Sequence, residues 1–199
     1  MNVKLYVEGG GEAAIQDEQC RAGFRMFLEA AGVAGKMPRI VACGGRNAAF
    51  DAFETAMRSQ TANDLPLLLV DSEDAVAVGS GVWHHLRLRD GWQLPPSAAE
   101  DQAFLMVRCM ETWFLADRAA LESFFGQSFK MSALKAWPLL EDIPKLAVLA
   151  ALEAATSECG KKRYKKGKLS YQLLGKISPY LVEAACPHAK NFLDRLRHL

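Results

Sequence analysis

The sequence predicts an α/β protein, a mostly parallel sheet flanked by helices and continued by a helical C-terminal extension. Three observations carry this prediction. Short apolar runs alternate with segments of helical periodicity, glycines or acids stand where each run stops, and strand signals fade beyond residue 118. The expected division is therefore an α/β core over 1–118 and a helical extension over 119–199 packed on it.

The first run, "VKLYVE" at 3–8, is β-branched and aromatic, and three glycines end it. Phe24, Phe27, Leu28 and Ala31 then share one face of a helix. A second run, Ile40 to Cys43, stops at Gly44 and Gly45 before a helix carrying Phe50, Phe53 and Met57. The third, Leu65 to Val70, is apolar throughout and turns abruptly acidic, as a strand buried on both faces does on leaving its sheet. Residues 75–102 are rich in Gly, Pro and polar groups, and "AFLMVRCMETWFLAD" reads as a fourth strand running into a helix. Beyond it, "PKLAVLAALEAA" and "NFLDRLRHL" have helical periodicity, separated by "KKRYKKGK".

Composition sets outer limits. A chain of 199 residues, half of them hydrophobic, fits one domain with a modest appendage at ~150 residues per domain. A net charge of +1 removes global attraction as an argument for nucleic acid or membrane, so such a partner must be read from local patches. No apolar run approaches the ~18 residues of a membrane span. The chain opens directly on strand-like residues with no basic and apolar leader, so a cytoplasmic, unprocessed protein without a membrane partner is expected. Five scattered cysteines without a C-x-x-C pair are expected to be reduced and mostly structural.

In open α/β sheets chemistry collects at the carboxyl ends of the strands. The residues found there are Glu8, the Gly44-Gly45-Arg46 turn, and Asp71, Glu73 and Asp74. Converging carboxylates repel one another unless a cation sits among them, and hard oxygen donors suit Mg²⁺ or Mn²⁺. A solvated turn after a buried strand is the alternative for Asp71, Glu73 and Asp74. Glu111, close after the fourth strand, could join the acidic site, whereas Asp117 suits a helix cap. Arg46 at a helix start could meet a phosphate or form a surface salt bridge. Lys161, Lys162, Arg163, Lys165, Lys166 and Lys168, with Tyr164 among them, could hold a nucleic-acid backbone and stack a base, or form an exposed loop. "GGGEAA" fits only a loose dinucleotide pattern, without an acid after the second strand, and neither a Walker A loop nor a G-x-S-x-G elbow is present.

"VEGGGE" and "DSE" resemble the Toprim domain of topoisomerases, primases and OLD-type nucleases. Over nearly its whole length the chain resembles a bacterial family catalogued as domain of unknown function 4276, through "VEGGGE", "LLLVDSED", "MVRCMETWFLAD", "KKRYKKGK" and "SPYLVEAACPHAKNFLDRL". The Toprim resemblance implies proton transfer by Glu8 and metal binding by Asp71 with Glu73. The OLD-type pattern adds Glu12 as a further acid and Lys168 as the lysine outside the acidic motif. Glu73 stands where that pattern carries Asp. The implied activity is Mg²⁺-dependent cleavage of DNA or RNA, with a partner ATPase in a phage-defence setting. A non-catalytic module of the same fold that binds nucleic acid or protein is the alternative, and a Mg²⁺-dependent phosphatase or receiver-like domain is a third.

Overall fold

The computed structural model describes residues 1–11, 14–33 and 35–199. Its parallel sheet contains β1 (Asn2–Val7), β2 (Arg39–Ala42), β3 (Asp64–Asp71) and β4 (Ala103–Met106), in the order β2-β1-β3-β4. Register is set by β1, whose Tyr6 lies opposite both Val41 and Leu68. The fold class is the one the sequence predicts.

Helix α1 (Ala14–Leu28) joins β1 to β2, and α2 (Arg46–Ser59) joins β2 to β3. Between β3 and β4 lies α3 (Val82–Asp90), inside the stretch whose sequence shows mainly Gly, Pro and polar residues. Its sequence "VWHHLRLRD" buries only Trp83, His85 and Leu86, too narrow an apolar stripe to stand out among the basic residues. After β4 come α4 (Glu111–Phe114), α5 (Arg118–Phe125), α6 (Lys145–Ala155), α7 (Lys168–Leu174), α8 (Pro179–Ala185) and α9 (Pro187–Arg197). Asp117 caps α5, accepting from the amide of Ala120 at 3.0 Å.

Alternation along the strands divides the core in two. Tyr6, Leu68, Val70 and Leu105 pack with Phe50 and Phe53 of α2 and Trp83 of α3. Leu5, Val7, Leu67, Leu69, Phe104 and Met106 face the other way, into a cluster shared by α1 and the C-terminal helices. Phe27 stacks on Trp113 at 5.3 Å, and Phe104 meets Phe192 of α9 at the same centroid distance. The helices beyond residue 118 thus bury the same apolar surface as the sheet. Among the described residues, no helix is long and apolar enough to cross a membrane.

Helices α1 and α7 pack closely at Gly23, where a Cβ atom would stand 2.5 Å from the Tyr171 carbonyl oxygen of α7. Helix propensity alone would make Gly23→Ala stabilising by up to ~1 kcal/mol. The contact reverses the sign, and a loss of about 1–3 kcal/mol is expected. Urea denaturation followed by circular dichroism measures it, and an unchanged or raised midpoint would contradict the packing.

Candidate metal centre

The chain runs from β1 outward to β2 and then returns across β1 to β3, so the crevice at the β1/β3 carboxyl ends is a topological switch point. Glu8 follows β1 and Asp71 ends β3. The Glu8 amide donates to the Leu69 carbonyl at 2.9 Å, and Glu8 Oε2 accepts the Asp71 amide at 3.0 Å. Gly9 and Gly44 exchange backbone hydrogen bonds of 2.9 and 2.7 Å, which ties the loop after β1 to the loop after β2.

The turn after β3 is laced to the turn after β4. Ser72 and Glu73 donate their amides to the carbonyls of Met106 and Arg108, while Ser72 Oγ accepts the Arg108 amide at 2.7 Å. Glu73 and Arg108 both have φ of 63°, left-handed conformations that cost a non-glycine residue on the order of 1 kcal/mol and persist where the surroundings over-determine them. One carboxylate oxygen each from Glu8, Asp71 and Glu73 lie within 4.8 Å of one another. This partly buried cluster of hard oxygen donors could hold a metal ion.

Side-chain cations face the same acids. Asp71 accepts the Met110 amide on Oδ1 at 2.8 Å, and its Oδ2 has Lys145 Nζ at 3.3 Å and Lys166 Nζ at 3.5 Å. Lys145 also bonds Glu73 Oε1. Arg46 Nη1 lies 3.7 Å from Glu8 Oε2 and donates to the Asp71 carbonyl. Its guanidinium is gripped by Asp90 through two hydrogen bonds and lies 4.8 Å from the Trp92 ring centroid. Arg46 therefore serves the sheet end from a partly buried ion pair, where the sequence left phosphate contact and a surface salt bridge open.

Burial, followed by the neighbouring Asp71 charge, raises the Glu8 carboxyl to about 7, with Arg46 opposing. Burial also raises Asp71, with Lys166 pulling the other way. Burial disfavours the Lys166 charge, but Glu111, Asp71 and Glu8 together hold its ammonium above the ordinary range. Lys145 is likewise raised, by Asp71 and Glu73 against its desolvation.

The other candidate residues separate. Glu111 is fully buried outside the three-acid cluster, with Oε1 accepting from Tyr164 Oη at 2.9 Å and Oε2 without a partner. Tyr164, considered above as a stacking ring, is buried and bonded to Glu111 and Ser170, so its ring is closed to a base. That buried anchor turns Lys166 toward Asp71 while Lys161, Arg163, Lys165 and Lys168 line a neighbouring cavity of about 440 Å³. Lys166 borders this cavity and also a cleft of about 310 Å³ lined by Glu8, Gly9, Gly10, Asp71 and Tyr171. Lys162 instead donates to the Phe124 carbonyl. Lys168, the lysine suggested by resemblance, opens α7 on the basic cavity, and the lysines within reach of the acids are Lys145 and Lys166. Glu12 lies outside the described residues. A larger groove, about 570 Å³, runs beside β2 and includes none of these acids.

Sequence reasoning missed Lys145 because it opens a helix that is apolar apart from Lys145 and Glu153. The available signal was its place. A lysine in the first turn opposes the helix dipole and calls for an anion in front of it.

Fold and centre together define a parallel α/β protein with an acidic cluster, faced by lysines, at its switch point. The chain belongs to the family described as Domain of unknown function (DUF4276), whose model matches residues 7–197. No curated protein and no solved structure matches it.

A carboxyl raised from 4.5 to about 7 binds more protons in the folded than in the unfolded chain between those values. Its contribution is present below 4.5 and is lost as pH rises through 7, a fall of up to ~3 kcal/mol. In EDTA, thermal denaturation of the wild type should show this loss between pH 4.5 and 7. Glu8→Gln should flatten the profile, and an equally steep profile in the variant would refute the assignment.

Proposed function

We propose that the protein is a Mg²⁺- or Mn²⁺-dependent nuclease that hydrolyses phosphodiester bonds in DNA or RNA. The observation that carries this reading is the continuity of two features. Glu8, Asp71 and Glu73 converge at the switch point, and Lys166 joins their cleft to the cavity lined by the basic run.

Asp71 and Glu73 would hold the cation, with Glu8 beside them. When bound, the metal supplies positive charge that polarises the phosphate and lowers the pKa of a water. Lys161, Arg163, Lys165 and Lys168 attract the polyanion backbone, and Lys166 at the boundary neutralises the phosphate nearest the acids. Glu8, titrating near neutrality, is suited to take a proton from the attacking water. The water oxygen bonds to phosphorus as the ester P–O bond breaks, and the leaving oxygen gains a proton from an ammonium or solvent. Arg46, locked by Asp90, fixes the β1 and β3 ends against each other.

One observation favours a second reading, a nucleic-acid-binding module without catalysis: the lysines already compensate the acids. Metal-independent binding unaffected by Asp71→Ala would support it.

The test is cleavage of labelled single- and double-stranded DNA and RNA with Mg²⁺, Mn²⁺ or EDTA. Metal-dependent cutting is expected, with Glu8→Ala and Asp71→Ala each slower by at least ~10²-fold. Circular dichroism checks that both variants fold. Cutting that survives both substitutions would overturn the proposal.

A further inference from the structure

The ammonium of Lys145 bridges Asp71 and Glu73, two of the three carboxylates proposed to receive the metal. Lys166 stands 3.5 Å from the same Asp71 oxygen, and Arg46 stands 3.7 Å from Glu8. Three carboxylates therefore already face three cations. Like charges a few ångströms apart repel, and a divalent ion repels an ammonium twice as strongly as a monovalent one does. One side-chain cation must withdraw when the metal enters.

The fold says which one. Arg46 is clamped by Asp90 and Trp92. Lys166 is half exposed and approaches only one of the acids, at 3.5 Å from Asp71 Oδ2, so it leaves the oxygens of Glu8 and Glu73 free and need not move. Among the described residues the Lys145 ammonium has hydrogen bonds only to Asp71 and Glu73, occupying an oxygen of each, and it extends from the first turn of α6, where the helix dipole repels it.

We propose that Lys145 is a tethered competitor for the metal, drawn off the carboxylates by the phosphate of an incoming substrate, so that divalent metal and substrate bind cooperatively. The proposal rests on the metal-dependent reading above and adds its regulation. The ammonium moves from two carboxylates to a phosphate without any covalent change. The vacated oxygens receive the metal, and the added phosphate charge keeps the centre balanced. Linkage makes the effect mutual, metal tightening substrate binding by the factor that substrate tightens metal binding.

Calorimetric titration of Mn²⁺ into wild type, Lys145→Met and Lys145→Arg tests this without turnover. Lys145→Met should bind Mn²⁺ about tenfold more tightly or better, and Lys145→Arg, which keeps the charge, should stay near wild type. Fluorescence anisotropy of a labelled short oligothymidylate, with Ca²⁺ or EDTA, reads the coupling. Divalent metal should strengthen binding in wild type and clearly less in Lys145→Met. Mn²⁺ affinity unchanged or weakened in Lys145→Met, with the thermal transition intact, would overturn the competition while leaving the metal-dependent reading standing. If no protein binds Mn²⁺, both readings fall.

Discussion

A carboxyl group buried at the end of β3 governs the architecture around it. Asp71 is 2 % exposed. Desolvating a carboxylate is costly unless it is hydrogen-bonded and paired. The partners come from distant parts of the chain: the Met110 amide after β4, Lys145 at the head of α6, and Lys166 in the basic segment. Meeting that one requirement draws the C-terminal helices over the carboxyl edge of the sheet. Packing of the same helices against α1 and the sheet then fixes the arrangement.

Rigidity at the centre comes mostly from backbone bonds. The loops after β1 and β2 hold each other through Gly9 and Gly44, and those after β3 and β4 through Ser72, Glu73, Met106 and Arg108. Side chains on such loops are positioned by the sheet itself, so Glu8, Asp71 and Glu73 converge without one long flexible segment between them and the strands. The polar network of Glu111, Tyr164 and Ser170 does the same for the basic segment, turning an otherwise exposed run into a wall of two adjoining cavities.

Much of this was legible in the sequence where local pattern and tertiary role agree. Continuous apolar runs announce strands covered on both faces, and the abrupt change from Val70 to Asp71 marks the sheet edge. From these, the strand ends and Glu8, Asp71 and Glu73 follow. Lys145 was not legible because its neighbours Leu146 to Ala151 describe a helix and nothing about what its first turn faces. The fate of Arg46 depends on Asp90 and Trp92, which stand more than forty residues away in a segment whose helix is masked by basic residues. Tyr164 among lysines reads as an exposed ring, and only the buried Glu111 beneath it explains its burial.

The acids and their countercharges are also separated in time. Glu8 and Asp71 leave the ribosome before Lys145 and Lys166, and chains are made at roughly 5–20 residues per second. For several seconds a nascent chain carries an acidic sheet edge with neither the lysines that balance it nor the basic segment that would attract a polyanion. The centre is therefore complete only once Lys145 and Lys166 have followed its acids out of the ribosome.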